Sequence, residues 1–244
     1  LVHIYPDAYV PGKVYETELG LICRSNEFVQ ALGVHTVPAP PAGRKEWIKR
    51  LNSHAKKLSE WSASSAPDGL DFGFVIAELQ KQIADDAVIA TDAGNFGSWL
   101  HRHFMFGKDH TLLGAVAGAM GMGVPAAVAA ALRQPHRQVI CLVGDGGFMM
   151  TGNEMATAVQ YELPIKILLS NNGAYGTIRA HQEKHFPGRV SATVLNNPDF
   201  AMMATAYGAL GLTVTDSDEI GPALQQALEH PGPALINIQS SLEH

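Results

Sequence analysis

Val139-Ile-Cys-Leu-Val143 runs directly into Gly144-Asp145-Gly146, and Ile165-Lys-Ile-Leu-Leu169 runs into Asn171-Asn172, with a helix-like stretch from Met155 to Tyr161 between them. Apolar run, helix, apolar run is the pattern of a βαβ unit. The crossover in such a unit is right-handed and its strands are parallel, so Asp145 and Asn172 fall at the same carboxyl edge of a sheet. Open α/β sheets bind their ligands at that edge. The pattern therefore constrains the chain to a parallel α/β fold and places two hard oxygen donors where a ligand sits.

A carboxylate and an amide oxygen are too few to cage a cation. They suit Mg²⁺, which takes six oxygens in near-octahedral geometry and usually shares them with phosphates and water. Gly146 and Gly147 can present backbone N–H groups with no Cβ in the way, and Thr151 to Glu154 has capping-box spacing for the helix that follows. The expectation is a metal-bridged diphosphate site. Turn chemistry alone explains either half, because Gly, Asp and Asn often end strands. It does not explain both halves at this spacing.

The stretch GDGGFMMTGNEMATAVQYELPIKILLSNNGAYGTIRAHQ, residues 144–182, resembles the thiamine-diphosphate motif of the acetolactate synthase and benzoylformate decarboxylase superfamily. The resemblance implies a thiamine-diphosphate-binding fold, a doubly wound and mainly parallel sheet of about six strands with helices on both faces. It implies that Asp145, the Asn172 side chain and the Ala174 backbone carbonyl bind Mg²⁺, two diphosphate oxygens and a water completing the six. Gly146, Gly147, Tyr175 and Gly176 are the further cofactor contacts implied within the motif. A second segment, Leu113 to Ala127, resembles the stretch under the cofactor's pyrimidine ring. There Gly118 offers a carbonyl to the 4′-amino group and Met120 props the cofactor into a bent V shape. Taken alone, this segment reads as close helix packing with a Met as core filler.

From about Leu70 the pattern alternates helices with buried strands, as a doubly wound sheet requires. Helix 72–83 leads to strand 87–90 and Asp92, where a turn or N-cap role is expected. Helix 121–132 leads to the Asp145 strand, and helices 198–207 and 218–230 bracket strands at 212–214 and 234–238. Before this, residues 1–40 resemble the end of the superfamily's central domain, with a strand at Leu19–Cys23 and a short helix from Asn26 to Leu32. Pro38, Pro40 and Pro41 mark a boundary, and residues 41–69 read as a helical linker, patterned from Arg44 to Trp61. The diphosphate-binding domain is expected over 70–241, and 242–244 as a tag remnant.

The chain has 244 residues, is 46% hydrophobic and carries a net charge of −6. That suffices for one large domain plus a fragment, with no basic stripe for nucleic acid and no apolar run of membrane-spanning length. The 11 histidines lack metal-binding spacings, His101 and His103 being the closest pair and best read as a helix end or loop. Cys23 and Cys141 lie in strand-like runs and read as buried small hydrophobes in a reducing, cytoplasmic setting.

In this superfamily a glutamate on an N-terminal pyrimidine-binding domain drives cofactor activation. No such domain is in this sequence, so the chain is expected to bind diphosphate and metal but be inert alone, needing that domain from the same or another subunit in a homodimer or homotetramer. The resemblance implies a thiazolium ylid that decarboxylates a 2-oxo acid, with or without carboligation. The alternative is a non-catalytic or separate diphosphate-binding subunit. FAD, open to the family, has no residue here in its support. After Asn172 the segment to Gln182 is expected as a loop near the cofactor. There Ala180-His181-Gln182 stands where acetolactate synthases carry Gln-Trp-Gln, which argues against branched-chain amino-acid synthesis. His181, with His185 nearby, is the candidate proton shuttle within the chain, although exposed loop histidines are common. A dinucleotide-binding Rossmann module is disfavoured, because Gly144-Asp-Gly-Gly-Phe-Met149 lacks the third glycine of G-x-G-x-x-G.

Overall fold

The computed structural model describes residues 1–36 and 39–242 in two compact units, Leu1–His54 and Ala55–His244. Pro38 of the expected boundary and Glu243 and His244 of the expected tag lie outside the described residues. In the first unit β1 (Val2–Tyr5) pairs in parallel with β2 (Leu19–Ile22), and α1 (Ser25–Gly33) follows. Glu27 reaches back to accept the Arg24 N–H at 2.8 Å, which fixes the start of α1. Cys23 sits just past β2 and is only half-buried, so the expectation of a buried strand cysteine is corrected there; a four-residue strand is too short to carry it inside.

The division between units falls within α2 (Arg44–Ser59), which ends two residues before Trp61. In the second unit the elements run α3 (Gly73–Gln82), β3 (Val88–Thr91), α4 (Phe96–His103), β4 (Thr111–Gly114), α5 (Gly123–Arg133) and β5 (Val139–Gly144). They continue through α6 (Asp145–Thr151), a 3-10 turn (Gly152–Glu154), α7 (Met155–Gln160), β6 (Lys166–Asn171) and α8 (Gly176–His185). The last elements are α9 (Phe200–Tyr207), β7 (Leu210–Val214), α10 (Ser217–Glu229) and β8 (Ala234–Gln239). The six strands form one sheet in the order β4-β3-β5-β6-β8-β7, parallel at every pairing.

Parallel strands buried on both faces read as continuous apolar runs, and β5 shows why. Val139, Cys141 and Val143 pack with α5, α7 and α9 on one face, while Ile140 and Leu142 pack with α3, α4 and α10 on the other. Each of these aliphatic side chains contributes on the order of 1.5–3 kcal/mol by leaving water. The doubly wound fold follows directly, since every strand face needs a helix layer.

Three local expectations are corrected by the structure. β4 was not expected as a strand, because its four residues alternate between half-buried and exposed. It is held at the sheet edge by Arg137, whose guanidinium donates to Asp109 O at 2.9 Å and Thr111 Oγ1 at 3.0 Å. The segment after Asn172 is a loop only to Tyr175 and then becomes α8, a helix whose one buried residue is Gly176 and whose pattern is correspondingly weak. Thr151 and Glu154 form no capping box: the Thr151 hydroxyl donates to Gly121 O at 2.9 Å, and Glu154 accepts from Thr157 at 2.8 Å.

Candidate functional site

The carboxyl ends of β3, β5 and β6 open into a cleft of about 220 Å³. Gly118 and Met120 line it from the loop after β4, and Asp145, Gly146 and Gly147 from the β5–α6 junction. Asn172, Ala174, Tyr175 and Gly176 line it from the segment joining β6 to α8. All nine residues singled out for cofactor contact thus share one wall system. His181 is not among them: it is exposed on α8 and stacked on His185, ring centroids 6.1 Å apart and planes 8° from parallel.

Asp145 is the first residue of α6 and is 3% exposed. Its Oδ1 accepts the Gly146 N–H at 2.8 Å, and its Oδ2 accepts the Gly173 N–H at 2.9 Å and the Asn197 amide at 2.7 Å. Burial pushes the carboxyl above its usual range, and the amide of Asn197 and the N–H groups of Gly146, Gly173 and Ala174 pull against that rise. Gly146 therefore spends its N–H on Asp145 rather than offering it to the cleft, which amends the expectation for that residue. Its missing Cβ is still required, because a methyl there would come within 2.6 Å of the Tyr175 ring and 3.3 Å of Met120. Asn172 closes a tight turn, Oδ1 accepting the Ala174 N–H at 3.2 Å, and the Ala174 carbonyl accepts from Gly176 at 2.9 Å. Each of these oxygens keeps a second lone pair.

This donor set fits a hard cation: one carboxylate and two neutral oxygens, with no thiolate or imidazole. Among the described residues no cluster of three or more His, Cys, Asp or Glu side chains could hold a metal, so any cation depends on neutral oxygens and on a ligand. The Cβ-free Gly146 and the left-handed Gly118, at φ +65°, keep backbone exposed beside Asp145 and Met120.

Several lining residues had no sequence signal pointing to them. Asn95, the N-cap residue of α4, and Phe96 close one side, and Thr177 and Ile178 extend the wall along α8. Asp92 closes the expected turn, accepting the Ala93 N–H at 2.7 Å, but the N-cap position of α4 belongs to Asn95. Asp92 also accepts the Gly121 N–H with both oxygens at 2.9 Å, bracing the loop that carries Gly118 and Met120.

A family model described as the thiamine pyrophosphate enzyme, C-terminal TPP binding domain, matches residues 92–238. The chain belongs to the thiamine pyrophosphate enzymes and carries their C-terminal cofactor-binding domain. It is 35% identical over 235 residues to YdaP of Bacillus subtilis, an alignment covering 93% of this chain and 40% of that protein. It is 30% identical over 243 residues to the acetolactate synthase isozyme 2 large subunit of Escherichia coli, covering 98% of this chain and 42% of the relative. Among solved structures it superposes on the Rhodococcus jostii RHA1 thiamine diphosphate-dependent 4-hydroxybenzoylformate decarboxylase with a TM-score of 0.80 and 25% identity, covering 99% of this chain and 44% of the other. The chain spans about two fifths of the length of these curated relatives.

Proposed function

We propose that this domain holds the diphosphate of thiamine diphosphate through a Mg²⁺ ion bound by Asp145, Asn172 Oδ1 and the Ala174 carbonyl, within an enzyme that acts on a 2-oxo acid. The Asp145 carboxylate carries the reading. It is buried, its hydrogen-bond partners are neutral N–H donors, and it faces a cleft shaped by glycines. A buried anion compensated only by neutral donors calls for a cation, and a divalent ion with a diphosphate supplies that balance.

When bound, thiamine diphosphate supplies a thiazolium carbon that can attack the carbonyl of a 2-oxo acid and take up the electron pair left by CO₂. The chain's own residues bind and orient. Asp145 would hold the cation that offsets the diphosphate charge, Gly118 would present its backbone carbonyl, and Met120 would stand as an apolar wedge against the cofactor body. Phe96 and Ile178 give the cleft an apolar wall. Met149 and Met150 are half-exposed on α6, as surface to be covered by the pyrimidine-binding domain would be.

The glutamate that activates the pyrimidine is assigned to that domain, which makes residues 1–244 inert alone and active in a homodimer or homotetramer. Among the described residues no helix is long and apolar enough to cross a membrane. Both cysteines are free, in keeping with the reducing cytoplasm in which we place the enzyme. The substrate is a 2-oxo acid decarboxylated with or without transfer to an acceptor. The small Ala180 and polar His181 on α8 argue against the acetolactate synthase acceptor.

The test is CO₂ release from a panel of 2-oxo acids. The assembled enzyme with Mg²⁺ and thiamine diphosphate is expected to turn over, and residues 1–244 alone to stay at background. Robust turnover by the chain alone overturns the assignment of the activating glutamate elsewhere, and no turnover by the assembly overturns the function.

A further inference from the structure

We propose that Asn197 is a positioning residue that makes Asp145 a one-oxygen ligand and thereby tunes the site to a small octahedral cation. The proposal rests on the cation reading above and concerns which carboxylate oxygen faces the ion. The Asn197 amide nitrogen has two hydrogens, and both are used: one goes to Asp145 Oδ2 at 2.7 Å, the other to Asn171 Oδ1 at 2.8 Å. Asn171 in turn donates from Nδ2 to Asn237 Oδ1 at 3.0 Å. The direction of this relay is set by the anion. An ionised carboxylate only accepts, so Asn197 must present nitrogen, Asn171 must answer with oxygen, and Asn237 must accept from Asn171.

Counting lone pairs gives the consequence. Oδ2 has two, and the Gly173 N–H and the Asn197 amide take both. Oδ1 has two and spends one on the Gly146 N–H. The Ala174 N–H, which also bears on this carboxylate, makes its hydrogen bond to Asn172 Oδ1 at 3.2 Å, so one lone pair on Oδ1 is left for a cation and Asp145 cannot chelate through both oxygens. Mg²⁺ demands near-ideal octahedral geometry, whereas Ca²⁺ accepts a bidentate carboxylate and seven or eight ligands. Locking one oxygen therefore favours the smaller ion.

Asn197 is held firmly enough to do this. Pro198 follows it and biases its backbone towards extended conformations. Asp199 then caps α9, its side chain accepting the Met202 N–H at 2.9 Å. Phe200 is fully buried against Phe148 of α6, ring centroids 5.5 Å apart and planes at 88°. Phe148 lies on the helix that Asp145 begins, so one aromatic contact fixes donor and acceptor elements together.

The test measures Mg²⁺ and Ca²⁺ affinity by titration calorimetry in the presence of thiamine diphosphate, on the assembled enzyme and its Asn197→Leu, Asn197→Ala and Asp145→Ala variants. Asn197→Leu keeps the volume and removes both donors; Asn197→Ala removes them without overpacking and is read in the same way if the Leu variant does not fold. Loss of one charge-assisted contact predicts Mg²⁺ affinity falling about tenfold with Ca²⁺ affinity falling far less. Equal losses for both ions, or none, overturn the role given to Asn197 while Asp145→Ala still abolishes binding. If Asp145→Ala also leaves Mg²⁺ affinity intact, the cation reading itself falls.

Discussion

Both oxygens of the Asp92 carboxylate converge on one N–H, that of Gly121, at 2.9 Å each, linking the end of β3 to the loop that carries Met120. Room for this contact comes from Gly147, where a Cβ would lie 2.7 Å from Asp92 Oδ2. A hydrogen bond to a charged, buried acceptor is worth about 1.5–3 kcal/mol. Asp92→Ala should lower stability by about that amount, seen as a shifted urea midpoint at unchanged slope, with weaker cofactor binding alongside. A midpoint equal to wild type would show that the bond does not brace the loop.

Met120 reaches the cleft from that loop, and its side chain ends near Gly146. An apolar wedge that shapes a bound ligand without adding charge should matter more in the transition state than in the ground state. Met120→Ala is expected to lower kcat about tenfold or more while leaving cofactor affinity within about threefold. Steady-state kinetics beside calorimetry would separate the two, and the reverse pattern would return Met120 to ordinary core packing.

Lys166 lies at the amino end of β6, 3% exposed, donating to His230 O at 2.6 Å and Gly232 O at 2.7 Å. Burial pushes its ammonium down from 10.5 to about 8. The unfolded chain then binds more protons than the folded one between pH 8 and 10.5, so this residue makes stability rise with pH across that window. Cys141 works the other way above its ordinary 9.0, because burial first and the Asp92 charge second hold its thiol protonated in the fold. The difference between wild type and Lys166→Met isolates the lysine: urea midpoints measured from pH 7 to 10 should lose part of their alkaline rise in the variant. Parallel profiles would show that Lys166 titrates as in water.

Strands buried on both faces were legible, because their centres, Val139 to Val143 and Ile167 to Leu169, are continuous apolar runs with no outward-facing polar alternation. The edge strand Thr111–Gly114 was not, since half its side chains face outward and its place is held by Arg137 from a distant turn. Helix α8 was hidden for a related reason, its polar and largely exposed face leaving no helical apolar stripe. Asp145 and Asn172 were readable at the site because local chain chemistry puts them at strand ends. Asn197 was not, because an Asn before Pro reads as a turn, and its approach to Asp145 depends on α9 packing against α6.

The central claim is a cation on Asp145 holding a diphosphate, and calorimetry of thiamine diphosphate binding to the assembled enzyme tests it most directly. With Mg²⁺ present, Asp145→Ala is expected to lower cofactor affinity at least about tenfold, and removing Mg²⁺ with a chelator should bring wild type down to the same level. Wild-type affinity that ignores both the chelator and the Asp145→Ala substitution would contradict it.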